Sequence, residues 1–194
     1  FQAMNALTAA GLVIACDGEP EQTFAALSEL VAVPGRLELV ANLSNGAAVY
    51  VDYAHTPDAL ATVLRALRPY ATRALSVLFG CGGNRDRGKR ALMGDIATAY
   101  ADQVFVTDDN PRHEDAATIR REVLVGCPSA IEIGDRAEAI HQAMAALQSG
   151  DVLVVAGKGH EEGQIVGEDV KPFNDIKMVR SIAEKLKGEG SNAD

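Results

Sequence analysis

The sequence predicts an α/β fold in which helices cover both faces of a doubly wound, mostly parallel sheet. Short apolar runs rich in β-branched residues, among them AAVYV, ALSVLF, QVFVT and DVLVVA, are typical of strands buried on both faces. These runs alternate with longer helical patterns, and the connections between them are short. Such alternation favours parallel strands joined by crossover helices.

The first part of the chain has a different pattern. Residues 3–15 and 20–32 predict two helices separated by CDGEP, and the VPGR segment at 33–36 carries the Pro and Gly of a linker. We therefore predict a boundary between a helical segment at 1–33 and a larger domain at 34–194. Because the chain opens on a helical pattern without a Met, we expect it to be the C-terminal part of a longer protein.

The larger domain is predicted to contain six strands and five helices. The strands are the apolar runs at 37–43, 47–52, 74–79, 103–107, 130–133 and 151–156. The helices are the periodic stretches at 57–69, 89–101, 114–125, 135–148 and 174–187. Capping residues stand at three of the predicted helix starts: Thr56 before Pro57, Asp135, and Asn174 with Asp175.

Composition limits the classes of function. A formal net charge of -9 argues against a nucleic-acid partner, and no apolar run approaches the ~20 residues that a membrane helix needs. The cysteines Cys16, Cys81 and Cys127 are scattered without a C-x-x-C pair, which favours reduced thiols in a cytoplasmic protein over disulfides or a zinc site. Cys81 lies in a glycine-rich turn, where a small residue is a simpler interpretation than a reactive thiol.

Unusual polar residues follow four of the predicted strands. They form the segments DYAHTP at 52–57, GCGGNRDRGKR at 80–90, DDNPR at 108–112 and GKGHE at 157–161. In doubly wound sheets, ligands bind outside the carboxyl ends of the strands. We therefore expect these four segments to meet in one site.

The glycine-rich turn fits neither of the two common nucleotide fingerprints. As a P-loop it lacks the Ser or Thr that holds Mg²⁺, because Arg90 stands in that place. As a dinucleotide turn it lacks the third glycine, which Arg85 replaces. What remains is a backbone free to adopt positive φ that presents Arg85, Arg87, Lys89 and Arg90 to a carboxylate or phosphate. The alternative is a tight turn with solvated cations.

The other segments also predict polar recognition. Pro111 restrains Asn110 and fixes the chain before Arg112, so an amide and a guanidinium could bind an amino acid; an ordinary turn is the alternative. In GKGHE, Glu161 could accept hydrogen bonds from an ammonium, with nearby cations keeping it ionised. A metal site is disfavoured, because His160 and Glu161 lack the second His of H-E-x-x-H.

The first of the four segments suggests contact with a nucleotide. Asp52 ends a buried strand and needs a partner, which a sugar hydroxyl or a cation would supply. His55 could stack on a base or act as an acid or base. The residues alone thus predict a site for a zwitterionic or anionic small ligand, and they do not name the reaction.

Five motifs together resemble one family. GRLELV, VDYAHTPDAL, FGCGGNRDRGKRALMG, VTDDNPR and AGKGHE occur in the order and spacing of the Mur ligases, and are most similar to the members that add meso-2,6-diaminopimelate. The opening FQAMNALTAA resembles the last helices of that family's central ATPase domain, with Gln2 where Asn is common. The resemblance implies a Rossmann-like C-terminal domain at 34–194 and a remnant of the central domain at 1–33.

The resemblance also implies an activity for the longer enzyme. It would use ATP and Mg²⁺, bound mainly by the central domain, to form an acyl phosphate on the D-Glu carboxylate of a UDP-N-acetylmuramoyl dipeptide. The amine of meso-2,6-diaminopimelate would then attack, in cytoplasmic peptidoglycan synthesis. This part alone would hold no catalytic residue and no metal site, and would be inactive.

Residue roles follow by resemblance, motif by motif. Arg112 would pair with the carboxylate that lysine lacks, and Gly157 and Glu161 would fix the far end of the amino acid. The residues implied for the diaminopimelate site are Arg85, Asp109, Asn110, Pro111, Arg112, Gly157 and Glu161. Those implied for nucleotide contacts are Arg36, Asp52 and His55, while Lys89, Arg90, Lys158 and His160 have no assigned role.

Two alternatives remain open. The chain could belong to a related amide ligase that uses L-lysine or makes poly-amino-acid chains, although Arg112 argues against lysine. It could also be a non-catalytic nucleotide-binding module of Rossmann type, although the missing third glycine argues against that.

Overall fold

The computed structural model describes residues 2–31 and 33–190, and its contacts divide the chain into two compact units, Phe1–Val33 and Pro34–Asp194. The first unit contains helices α1 (Gln2–Ala15) and α2 (Pro20–Ala26). The second predicted helix, expected to reach residue 32, is shorter, because after Ala26 it tightens into a 3₁₀ turn over Leu27–Glu29. Among the described residues, no helix is long and apolar enough to cross a membrane.

The second unit is built on a sheet of six strands within the described residues. The strands are β1 (Glu38–Asn42), β2 (Ala48–Asp52), β3 (Leu75–Phe79), β4 (Gln103–Val106), β5 (Ile131–Glu132) and β6 (Val152–Ala156). Their order is β1-β2-β6-β3-β4-β5, and every pair is parallel except β1 with β2. The predicted mostly parallel sheet is confirmed.

Helices pack on both faces of this sheet, as predicted. They are α3 (Pro57–Leu67), α4 (Lys89–Tyr100), α5 (Ala116–Leu124), α6 (Arg136–Ala145) and α7 (Asp175–Gly190). One core cluster joins the sheet to α3, α4 and α5, and the other joins it to α6 and α7. Strand β6 is fully buried and alternates between them: Val152 and Val154 face the first cluster, while Leu153 and Val155 face the second.

The predicted caps are present. The side chain of Thr56 accepts a hydrogen bond from the Ala59 N–H, and Asp135 does the same for Glu138. Asn174 accepts from the Lys177 N–H at 2.9 Å. These caps place each helix start directly after the loop that leaves a strand.

One element was not predicted. Strands β7 (Gly163–Val166) and β8 (Asp169–Pro172) form an antiparallel hairpin beyond the GKGHE segment. The hairpin turns at Gly167, which has a φ of 61°. The two residues between the strands, Gly167 and Glu168, match a common hairpin turn. Because the two strands are only four residues long, this signal is weak in the sequence.

Candidate functional site

A cavity of about 440 Å³ lies at the carboxyl ends of the parallel strands. All four predicted segments contribute to it, since parallel strands bring their carboxyl ends to the same edge of a sheet. The lining residues are Tyr53, His55, Thr56, Gly80, Gly82, Arg85, Asp86, Lys89, Asp109, Asn110, Arg112, Gly157 and Glu161. Tyr53, Thr56, Gly80, Gly82 and Asp86 were not singled out as site residues from the sequence.

The structure brings most of the predicted diaminopimelate residues together. Arg85, Asp109, Asn110, Arg112, Gly157 and Glu161 line this cavity. Pro111 does not; it is buried behind the cavity wall, beside Cys81 and Ile119. Of the residues predicted for nucleotide contacts, His55 lines the cavity, whereas Arg36 and Asp52 lie outside its lining.

The cavity carries charges of both signs. Arg85, Lys89 and Arg112 supply cations to its wall, and Asp86, Asp109 and Glu161 supply carboxylates. A wall of this kind suits a ligand that itself bears both carboxylates and ammonium groups, because each ligand charge can find an opposite charge.

The glycines of the turn have a different role from the one predicted. Gly80, Gly82 and Gly83 are not in the positive-φ region; the residue with positive φ in this turn is Asn84, at 50°. A Cβ on Gly83 would collide with the Pro111 carbonyl oxygen, and one on Gly82 would lie 2.8 Å from Arg112 Nη1. The glycines therefore let this turn pack closely against the DNPR turn.

Two of the four predicted cations of the turn, Arg87 and Arg90, lie outside the cavity lining. Arg90 is fully buried, where its guanidinium pairs with Glu114 at 2.9 Å and with Glu122 at 2.7 Å. Arg87 also pairs with Glu122. Arg90 thus fastens helix α4 to the loop before α5 and to α5 itself, so the prediction that it faces the site is wrong.

This ion-pair network predicts a dependence of stability on pH. Hydrogen bonds from Arg90 and from the Asn84 N–H lower the pKa of Glu114 from 4.5 to about 2. Because the folded-state pKa is depressed, the stabilisation is fully present above about pH 4.5 and is lost as the pH falls toward about 2. Replacing Glu114 with Gln is therefore expected to destabilise the protein at about pH 6 and to cost progressively less toward about pH 3.

Urea unfolding of both proteins across that pH range measures this difference. Glu162→Gln, which changes an exposed carboxylate paired with Lys177, is the matched control. An equal difference in unfolding free energy between wild type and Glu114→Gln at both ends of the range would contradict the expectation.

Arg112 occupies a strained and well-supported backbone position. Its φ is 53°, a region that side chains other than glycine and asparagine seldom adopt. Its Nη1 donates to the Gly83 carbonyl at 2.9 Å and to the Asn110 carbonyl at 3.3 Å. Within residues 2–31 and 33–190, its Nε and Nη2 have no hydrogen-bond acceptor, and they remain available to a ligand carboxylate.

The β7–β8 hairpin holds the DNPR turn in this conformation. The Arg112 N–H donates to the Ile165 carbonyl at 3.0 Å, and the Gly167 N–H donates to the Arg112 carbonyl at 2.7 Å. Gln164 Nε2 donates to the Asp109 carbonyl at 2.7 Å. The hairpin, which the sequence did not predict, thus positions Arg112, which the sequence did predict as a site residue.

Glu161 is half-buried and ionised. Burial raises the pKa of Glu161, but hydrogen bonds from Asn110 and Lys158 outweigh that effect and hold the pKa below its ordinary value. Asn110 is itself buried, and its amide is engaged with protein atoms. The nearby cation expected for Glu161 is Lys158, which the sequence analysis left without a role.

Asp52 has partners within the protein. Its carboxylate accepts hydrogen bonds from the Leu37 N–H at 2.6 Å and the Ala54 N–H at 2.7 Å. Two backbone amides thus supply partners for this carboxylate within the protein, and the charge of Arg36 also favours its ionised form. Burial raises the pKa of Asp52, although these two hydrogen bonds oppose the rise.

Rings and a guanidinium gather beside Asp52. The Arg36 guanidinium lies 4.2 Å from the centre of the Tyr53 ring, and the Tyr53 ring contacts the rings of His55 and His160. His55 Nδ1 lies 2.8 Å from the Tyr53 carbonyl oxygen. Tyr53 and His55 form one side of the cavity, where a planar ligand group could pack.

The cysteine in the glycine turn is not a reactive thiol. Cys81 is 4% exposed, and burial raises its pKa to about 12. A thiol with such a pKa stays protonated at neutral pH and is a poor nucleophile. Among the described residues, no group of three His, Cys, Asp or Glu side chains is arranged to hold a metal ion.

The chain is similar to proteins of known activity. The family model described as Mur ligase, glutamate ligase domain, matches residues 35–159. A UDP-N-acetylmuramoyl-L-alanyl-D-glutamate–2,6-diaminopimelate ligase of Agrobacterium fabrum is 55% identical over 188 residues, which cover 97% of this chain and 38% of that protein. One of Zymomonas mobilis is 56% identical over 184 residues, which cover 93% of this chain and 38% of that protein.

Solved structures agree on the fold. A structure of a UDP-N-acetylmuramoyl-L-alanyl-D-glutamate–2,6-diaminopimelate ligase matches with a TM-score of 0.75 and 37% identity, over 93% of this chain and 38% of that one. The UDP-N-acetylmuramate–alanine ligase of Thermotoga maritima matches over 100% of this chain and 38% of its own, with a TM-score of 0.63. At 18% identity, the latter is a likeness of fold alone.

Proposed function

This chain belongs to the Mur ligase family, as its motifs predicted, and we propose that it forms the diaminopimelate-binding part of a longer ATP-dependent ligase. The proposed reaction joins meso-2,6-diaminopimelate to UDP-N-acetylmuramoyl-L-alanyl-D-glutamate, the activity that names its relatives. The chain spans about 38% of the length of those relatives, so the reaction is assigned to the longer enzyme.

The observation that carries this proposal is the placement of Arg112 and Glu161 in one cavity. Arg112 offers Nε and Nη2 to a carboxylate, and ionised Glu161 offers its Oε1 to an ammonium. Meso-2,6-diaminopimelate carries a carboxylate and an ammonium on the same carbon at each end. L-lysine has the ammonium at its far end without the carboxylate, so it would leave the guanidinium unpaired in a partly buried site.

In the part of the chain that the structure describes, the turn that matches a P-loop does not form a phosphate cradle for ATP. In the stretch that matches a P-loop, Arg90 replaces the metal-binding hydroxyl and is committed to Glu114 and Glu122, while the glycines pack against the DNPR turn. We therefore assign the binding of ATP, Mg²⁺ and the nucleotide precursor mainly to the rest of the longer enzyme, with residues 1–33 belonging to its ATPase domain. Contacts of Arg36, Asp52 and His55 with a nucleotide stay predictions.

The role proposed for this chain is to bind and orient the amino-acid substrate. The carboxylate and ammonium at the far end would be held by Arg112 and Glu161, which leaves the other amine directed out of the cavity. Arg85, exposed at the cavity wall, would pair with the remaining carboxylate. We place the enzyme in the cytoplasm, in keeping with its free cysteines.

Backbone amide shifts in NMR titrations test this proposal. Meso-2,6-diaminopimelate is expected to shift Arg85, Asn110, Arg112, Gly157 and Glu161, and L-lysine is expected to bind about 100-fold or more weakly. Lys177→Met, a charge change outside the cavity lining, should titrate like wild type.

Each other outcome opposes the proposal in a different way. Equal affinity for the two amino acids would favour the ligase that uses L-lysine. Saturable shifts with NAD and none with either amino acid would favour the nucleotide-binding module. No response to any of the three would overturn the assignment of the site to this chain.

A further inference from the structure

Lys158 is a fully buried lysine that contacts two residues of the cavity wall, Asn110 and Glu161. Its side chain has 0% exposure, and it lies between Gly157 and Gly159, whose φ values are 114° and 55°. The chain thus turns sharply on both sides of Lys158. Burying an ammonium costs several kcal/mol unless it is well paired, and an apolar side chain would fill the same space at less cost. Packing alone therefore does not account for a lysine here.

The ammonium of Lys158 contacts two residues of the proposed substrate site. Its Nζ donates to Asn110 Oδ1 at 2.9 Å and to Glu161 Oε2 at 3.1 Å. Asn110 Nδ2 also donates to Glu161 Oε2, at 3.0 Å. Lys158, Asn110 and Glu161 therefore form a closed triangle of hydrogen bonds, of which Asn110 and Glu161 line the cavity.

These contacts fix which way the Asn110 amide faces. Its Oδ1 accepts from two donors, Lys158 Nζ and the Ile165 N–H at 3.0 Å. In the flipped orientation, the NH₂ group would face both donors and lose its bond to Glu161. The ammonium thus contributes to aiming Nδ2 at Glu161.

The same contacts leave one oxygen of Glu161 for a ligand. Oε2 accepts from both Lys158 and Asn110, whereas Oε1 has no donor among the described residues. The Glu161 side chain is 34% exposed and lines the cavity. A carboxylate held by one oxygen has few orientations left to lose when a ligand binds the other.

We propose that Lys158 is a positioning residue: its buried ammonium, bonded to Asn110 and Glu161, presents the second oxygen of Glu161 to an ammonium group of the substrate. This inference rests on the proposed function, because it assigns Glu161 to the ammonium at the far end of the amino acid. It adds a residue that does not itself touch the substrate.

Lys158→Met tests the inference in the same NMR titrations. We expect meso-2,6-diaminopimelate to bind about 10- to 100-fold more weakly, since a charge-assisted contact of Glu161 is lost. L-lysine also carries the far-end ammonium, so it should weaken by the same factor. The ratio of the affinities for diaminopimelate and L-lysine should stay the same, because that preference is assigned to Arg112. Lys177→Met makes the same chemical change at a side chain that is 76% exposed, and should leave both affinities unchanged.

A double-mutant cycle separates positioning from a structural role. If Lys158 acts through Glu161, then Glu161→Gln and the double variant should bind diaminopimelate with similar affinity. Additive losses, or wild-type affinity in Lys158→Met, would overturn the inference while leaving the proposed function intact. If wild type itself binds no diaminopimelate, the proposed function fails and this inference fails with it. Should Lys158→Met not fold, Lys158→Gln keeps an amide donor, and an intermediate loss is expected.

Discussion

Arg112→Met is expected to abolish the preference for meso-2,6-diaminopimelate over L-lysine. Truncating one partner of a desolvated charge pair costs about 2–5 kcal/mol, or ~30-fold to several thousand-fold in affinity. The loss should fall on diaminopimelate, because only that ligand supplies the carboxylate that Nε and Nη2 of Arg112 would bind. L-lysine affinity should change little. Titration calorimetry with both amino acids on wild type and variant measures the two affinities.

Two further variants control this experiment. Arg112→Lys keeps the charge but loses the planar fork, and should recover only part of the lost affinity. Arg87→Met removes an arginine of the neighbouring turn that pairs with Glu122 outside the cavity lining, and should bind both ligands like wild type. If Arg112→Met still prefers diaminopimelate, another cation must select that ligand. Arg85 would then be the first residue to test.

Arg136→Met is expected to lower the unfolding free energy by about 3–5 kcal/mol, the usual cost of leaving one member of a buried ion pair alone. Arg136 and Asp175 are both fully buried, and Nε and Nη2 of Arg136 each donate to one carboxylate oxygen at 2.8 Å. Nη2 also donates to the Ala156 carbonyl at the end of β6. The substitution would leave Asp175 buried without a counter-charge.

Urea unfolding monitored by circular dichroism measures this loss. Lys177→Met breaks an exposed ion pair and should cost no more than about 1 kcal/mol. The double variant Arg136→Met with Asp175→Leu removes both charges, and should recover a large part of the stability. If Arg136→Met is as stable as wild type, this ion pair does not contribute to the stability of the fold.

The strand ends could be located from the sequence because their physics is local. Short apolar runs such as ALSVLF and DVLVVA are typical of strands in a buried parallel sheet. Once the strands are parallel, their carboxyl ends share one edge, and the segments ending in Arg112 and Glu161 must meet there. Thr56, Asp135 and Asn174 acted as caps because their hydrogen bonds span only three residues.

The sequence did not predict which charged side chains face the cavity and which form pairs within the protein. Arg90 and Arg85 stand in the same turn, yet Arg90 is buried against Glu114 and Glu122, which come more than twenty residues later. Asp52 found its partners in the backbone N–H groups of Leu37 and Ala54. Such pairings depend on how helices and loops dock, which a local pattern does not contain.

The position of β6 has a consequence for how this chain folds. Strand β6 lies between β2 and β3, although it follows β2 by roughly 100 residues. Until the chain has been synthesised through Ala156, the facing edges of β2 and β3 have no partner, and closing so long a loop is a slow, entropically costly step. The loop that carries Lys158 and Glu161 follows directly after β6. The binding site is therefore assembled only when the last central strand is inserted, and a nascent chain that stops earlier exposes two unpaired strand edges to aggregation.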